Sequence, residues 1–278
     1  MREHVGAVLG LALASCQQPM AEAPDLGGRP TIVSLNPCSD ATLAQIAAPE
    51  QLLAVSHYSH DPTSSSMGVA AGRRFPAVSN AVEEIAEFNP DMVVADPFLS
   101  PATRQSLVDL GIEVVTIGTT DSVKTSEEQV RQLAQASGNV EEGERLIRDI
   151  RAALAKASPP LDAAPVSAIV WESGGIVAGD KTLVADLLRH TGFVNAAAAR
   201  GLRQADYLPL EAVLADPPQV ILTAGDPLAQ ENRLLGHPAL EALENTERAS
   251  LDSTLLWCGG PTIIRAAGRL AQIRRGLL

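Results

Sequence analysis

Hydrophobic and polar positions alternate along this chain in two rhythms. The longest helical one is Asn139 to Ala157, NVEEGERLIRDIRAALAKA. Leu146, Ile147, Ile150, Ala153, Leu154 and Ala157 fall on one face at helical spacing. Asn139 stands at the cap position, with Glu142 at the spacing of a capping box. Glu141, Glu142 and Glu144 fill the first turns and Arg148, Arg151 and Lys156 the later ones, complementing the helix dipole. From Glu141 to Ala157 such a helix spans roughly 26 Å, long enough to cross between domains.

The second rhythm is short apolar runs bounded by turn residues. Thr31–Leu35 is β-branched and ends in Asn36-Pro37, a strand and then a turn. Leu52–Ser56, Asp91–Ala95 and Glu113–Ile117 read as further strands, with helices expected from Ser39 or Asp40 to Ala47 and from Pro101 to Leu110. Thr125 with Glu128 opens a helix running to about Ala136. Beyond the long helix, Val166–Trp171, Gln219–Thr223 and Thr254–Trp257 read as strands. Leu183–Thr191 and Pro261–Gly276 read as helices, the last with proline at its first position. Strands alternating with helices imply parallel sheets.

Two stretches repeat one pattern at an offset of 128 residues. In Val82–Val94 and Leu210–Leu222, Glu83 aligns with Glu211, Ile85 with Val213 and Pro90 with Pro218. Met92-Val93-Val94 aligns with Val220-Ile221-Leu222. Each reads as a helix, a proline turn and a buried strand; prolines follow again in Asp96-Pro97 and Asp226-Pro227. The expected organisation is two similar α/β lobes, residues 31–122 and 161–278, joined by a helical linker over residues 123–160.

Charge narrows the function. The net charge is −12, which argues against a nucleic-acid partner, since phosphate binding needs clustered Lys and Arg. The chain has only two Trp and two Tyr, so each near a cleft is a candidate contact. At the N-terminus, Arg2 and His4 precede an apolar run from Val5 to Ala14 and then Ser15-Cys16, a signal-peptide pattern over residues 1–16 that is too short to span a membrane. Leu13-Ala14-Ser15-Cys16 resembles a bacterial lipobox, which makes Cys16 an acylation site; cleavage as a simple signal peptide is the alternative. Residues 17–30 read as a flexible tether. An acylated, tethered protein lies on a membrane surface facing an oxidising compartment. There Cys38 and Cys258 are candidates for a disulfide between the lobes; two buried thiols, or thiols lining a cleft, are the alternatives. No metal-ligand spacing, phosphate-binding loop or nucleophile elbow is present, so nothing calls for an enzyme, a metal site or a cofactor.

These pieces, taken in order, resemble the periplasmic substrate-binding proteins of ABC importers, in the class that carries cobalamin, iron-siderophores and haem. The resemblance rests on TIVSLNP at Thr31–Pro37, VSHYSHDP at Val55–Pro62, the paired Glu-containing units, Ile176–Asn195 and WCGGP at Trp257–Pro261. It implies two Rossmann-like lobes with parallel sheets, joined by a single long helix, with the ligand between them. It implies that Glu83 and Glu211 meet the membrane permease and that the chain acts as a monomer. The cleft then lies at the carboxyl ends of the strands, which nominates Asn36, Tyr58, Asp96, Trp171, Tyr207 and Trp257. Tyr58 and Trp257 stand where cobalamin-binding relatives carry Tyr and Trp; Asp96 and Ile176-Val177 stand where those relatives carry aromatics. The implied ligand is a corrinoid, with an iron-siderophore or haem on the same fold as the alternative. His57 and His60 are placed to reach a metal centre or to lie solvated in the loop.

Overall fold

A computed structural model describes residues 26–225 and 236–277. The first half runs β1 (Ile32–Ser34), α1 (Pro37–Ile46), β2 (Leu52–Ser56), α2 (Val69–Gly72), β3 (Ala77–Val78), α3 (Val82–Ala86), β4 (Met92–Ala95), α4 (Pro101–Asp109) and β5 (Glu113–Thr116). Then come α5 (Val123–Ala136) and α6 (Val140–Ala157). The second half runs β6 (Val166–Glu172), β7 (Ile176–Ala178), α7 (Leu183–His190), β8 (Phe193–Asn195), α8 (Ala196–Ala199), β9 (Ala205–Tyr207), α9 (Leu210–Ala215), β10 (Val220–Ala224), α10 (Pro238–Glu241), β11 (Glu247–Leu251) and α11 (Thr262–Gly276). Cys16 and Asp226-Pro227 lie outside the described residues.

The first sheet has the order β3-β2-β1-β4-β5, and every neighbouring pair is parallel. Its order reverses at β1, so a crevice opens beyond the carboxyl ends of β1 and β4. The second sheet has the order β11-β10-β6-β7-β9, with β8 also paired to β6. Here the expectation of a parallel sheet is only partly met. β10, β11 and β8 are joined in parallel, but β7 and β9 are antiparallel additions. The cause is local: Ser173–Gly175 is a tight turn, and it returns the chain alongside β6 without a crossover helix.

Two expected details change. Thr254–Trp257 is not a strand; Asp252 accepts from Thr254 N–H and caps a 3₁₀ turn over Ser253–Leu255. The strand is β11, which starts seven residues before the expected one, and Glu247 and Arg248 at its head carry no apolar signal. Asn139 does precede α6, but its side chain makes no cap bond. Its amide points inward instead, donating to Gln51 Oε1 at 2.8 Å and to Ser137 O at 3.0 Å. The capping box belongs to α5, between Ser122 and Thr125.

α6 buries Gly143, Leu146, Ile147, Ile150, Leu154 and Ala157 on one stripe and packs on α5 and α11. Around that stripe one apolar core runs from Ile32, Val55 and Met92 of the first sheet to Ala168, Val170 and Leu222 of the second. Each sheet's opposite face carries its own smaller core, around Val33 and Val93 in one case and Ile169 and Ile221 in the other. One continuous interior thus runs between the two sheets, with α5, α6 and α11 inside it.

Candidate functional site

The candidate site forms where the crevice of the first sheet faces the second. Asn36 follows β1 and Asp96 follows β4, and the two side chains meet across the switch point, Asn36 Nδ2 donating to Asp96 Oδ2 at 3.1 Å. Both are also tied to backbone. Asn36 Oδ1 caps α1 by accepting from Cys38 N–H at 2.9 Å, and Asp96 Oδ1 accepts from Phe98 N–H at 2.8 Å. Pro37 at the first position of α1 fixes the turn that presents Asn36.

Cys38 and Cys258 form a disulfide across the lobes, with Cα atoms 5.0 Å apart and 220 residues between them in sequence. The bond fixes the segment that carries Trp257. Beside it, Gly260 N–H donates to Ser126 Oγ at 2.7 Å, so the segment is held by α1 and α5 together. Trp257 is 57% exposed and lines both compartments of a groove between the lobes. The smaller compartment, about 90 Å³, is lined by Asn36, Asp96, Phe98, Thr119 and Trp257 among others. The larger, about 240 Å³, includes Thr120, Asp121, Glu172, Lys181 and Trp257.

Glu172 ends β6 and reaches this groove. Burial pushes its carboxyl above the usual glutamate range, opposed by a hydrogen bond from Trp257. Trp257 and Glu172 therefore link one rim to the other. Among the described residues, the groove lining holds the carboxylates Asp96, Asp121 and Glu172 and one cation, Lys181.

Tyr58 lies in the 3₁₀ turn His57–His60 directly after β2, half exposed, with its ring 4.1 Å from that of His57. Asp40 holds this turn from below. It is fully buried, and Oδ2 accepts from Ser56 N–H at 3.0 Å and from the Ser59 hydroxyl at 2.7 Å. Desolvation pushes its pKa up to about 8. The two histidines separate: His60 Nε2 lies 3.2 Å from Gly72 O and 3.1 Å from Phe75 O, anchoring the loop, while His57 is exposed.

The nominated residues are not all together. Asn36, Asp96 and Trp257 line one compartment, and Tyr58 leaves the same end of the first sheet. Tyr207 is exposed on β9 at the edge of the second sheet, against Gly175, and lines neither compartment. Trp171 is fully buried among Ile169, Val177, Val213 and Ile221, so it is a core residue of the outer face and not a groove residue. Strand alternation explains this: Ile169 and Trp171 point away from the central core that receives Ala168 and Val170. Glu172, one residue on, takes the groove position that Trp171 was expected to fill. Phe98, Thr119 and Thr120 were missed as well, because loop residues carry no periodic signal. Glu83 and Glu211 are exposed in the first turns of α3 and α9, the equivalent helices of the two halves.

Fold and groove together define a two-lobed α/β protein with a groove between the lobes. The chain belongs to the periplasmic binding protein family, whose pattern matches residues 32–255. No curated protein sequence matches it. Among solved structures it is similar to the periplasmic haem-binding protein HutB of Vibrio cholerae, with a TM-score of 0.71 and 21% identity over 88% of this chain and 98% of that one. It is also similar to the periplasmic vitamin B12-binding protein BtuF of Vibrio cholerae, with a TM-score of 0.65 and 20% identity over 89% and 97%. The periplasmic haem-binding protein RhuT of Roseiflexus sp. RS-1 gives a TM-score of 0.68 and 22% identity over 90% and 98%.

Proposed function

We propose that this protein captures a corrinoid in the groove between its lobes and delivers it to the permease of an ABC importer, without chemistry on the ligand. The observation that carries the reading is Trp257, an exposed aromatic face held by a disulfide-bonded segment and shared by both groove compartments. With Tyr58 at the carboxyl end of the same sheet as Asn36, it offers the area and stacking that a large flat ligand uses. Among the described lining residues, the carboxylates Asp96, Asp121 and Glu172 outnumber Lys181, which favours an uncharged or cationic passenger over an anionic siderophore.

In this reading the lobes are residues 31–122 and 161–278, the linker is residues 123–160, and Glu83 and Glu211 meet the permease. The protein is a monomer, tethered in the periplasm through an acylated Cys16 and the residues 17–30. A haem passenger is the second reading. It is favoured by His57 and Tyr58, whose adjacent rings set an imidazole and a phenol, both haem-iron ligand types, in the turn after β2, at the same end of the first sheet as Asn36.

Calorimetric titration with cyanocobalamin and with hemin decides between the two. Binding of cyanocobalamin that falls at least tenfold in Trp257→Ala is expected. Binding of hemin alone, weakened by Tyr58→Phe, replaces the first reading with the second. Binding of neither removes both.

A further inference from the structure

A second concavity lies away from the groove, between α6 and α11. Its floor is Ala153, Ala157, Ile264, Gly268 and Ala271, and its rim is Lys156 and Arg275; the volume is about 370 Å³. Ile264 also lines a further hollow of about 270 Å³, with Ala44, Met67, Ala71 and Pro261, and with Arg74 and Arg265 at its edge. The two share Ile264, and the α11 residues that line them run from Pro261 to Arg275, roughly 21 Å at 1.5 Å per residue; we treat them as one trough.

Three features mark it. The lining holds Arg74, Lys156, Arg265 and Arg275 and no Asp or Glu, although acids outnumber bases 33 to 21 in the whole chain. Lys156 and Arg275 have no ion-pair partner among the described residues. And Gly268 occupies the interior of α11, where glycine weakens a helix, yet a Cβ there would meet nothing within 4 Å. The glycine is not needed for helix contact. What it leaves open is the floor of the trough.

We propose that this trough binds a single-chain anionic amphiphile, such as a fatty acid. The alkyl chain lies along the apolar floor, and the carboxylate is held by Lys156 and Arg275. One leaflet's worth of acyl chain, roughly 15 Å, fits within the trough's length. The chemistry is complementary at both ends: apolar surface for the tail and uncompensated cations for the head. A membrane surface is a poorer match, because the apolar residues are recessed between helices instead of projecting. This site is independent of the ligand in the groove.

The test uses the full chain and the fluorescent fatty acid cis-parinaric acid. Binding is expected to saturate at one per protein and to be displaced by palmitate but not by hexadecanol. Lys156→Glu with Arg275→Glu is expected to weaken it at least tenfold. Gly268→Leu fills the floor from an open position and is expected to abolish binding while the melting temperature holds or rises. Equal binding by Gly268→Leu, equal displacement by hexadecanol, or binding only to phosphatidylglycerol vesicles and not to the free acid overturns the proposal.

Discussion

Asp40 shows how one residue fixes the turn that carries Tyr58. Its carboxyl holds the Ser56–Ser59 turn from a site without solvent, and burial raises its pKa from 3.8 to about 8. The folded state therefore holds the proton more tightly than the unfolded chain. Stability from this group is fully present below about pH 4 and is lost as pH rises towards 8. Asp40→Asn keeps the amide-sized shape and removes the titration. Its melting temperature should vary less than wild type between pH 5 and 8 and should exceed wild type at pH 8; a parallel drop at every pH would show that the carboxyl is ionised throughout. None of this is legible in the sequence, where Asp40 reads as a helix cap. Asn36 and Asp96 were legible because turns after strands are where such sheets bind ligands, whereas Trp171 misled because the side on which a strand residue lands depends on the sheet's partner layers.

At the scale of elements, the α5–α6 junction is fastened to the first sheet through Gln51. This fully buried amide donates to Ser137 O at 2.7 Å and to Pro30 O at 3.0 Å, and accepts from Ala48 N–H and Asn139 Nδ2. All its bonding capacity is used, so removal strands several buried groups at once. Gln51→Leu should cost on the order of 2 to 4 kcal/mol in urea denaturation. The helix itself and the two helix–turn–strand units at a 128-residue offset were readable, since each has enough apolar positions to establish a period. β3, β7, β8 and β9, of two or three residues, were not, because so short a strand has no alternation to detect. The Gln51 network was unreadable for another reason: three of its four partners lie 21 to 88 residues away in sequence.

For the whole molecule, the Cys38–Cys258 bond closes a loop of 220 residues. The chain-entropy model gives on the order of 5 kcal/mol for such a closure. Paired Cys38→Ser and Cys258→Ser should lower the urea midpoint accordingly, and dithiothreitol should then have no further effect on the variant. Docking is a separate property. Glu83→Arg with Glu211→Arg should abolish uptake by cells while leaving calorimetric ligand affinity within twofold of wild type; lost affinity would place these residues in the fold instead. The interior shared by both sheets carries a last implication. Leu146, Ile150 and Leu154 of α6 are covered from both sides, by Val130 and Leu133 of α5 and by Ala267 and Leu270 of α11. Fragments separated by a gene cut between residues 158 and 166 should therefore each precipitate alone and stay soluble only when co-expressed, which sedimentation of the separate and combined lysates would show. Evolution and engineering alike meet a chain with no seam: a lobe borrowed from a relative must arrive together with the rod and the closing helix that clothe it.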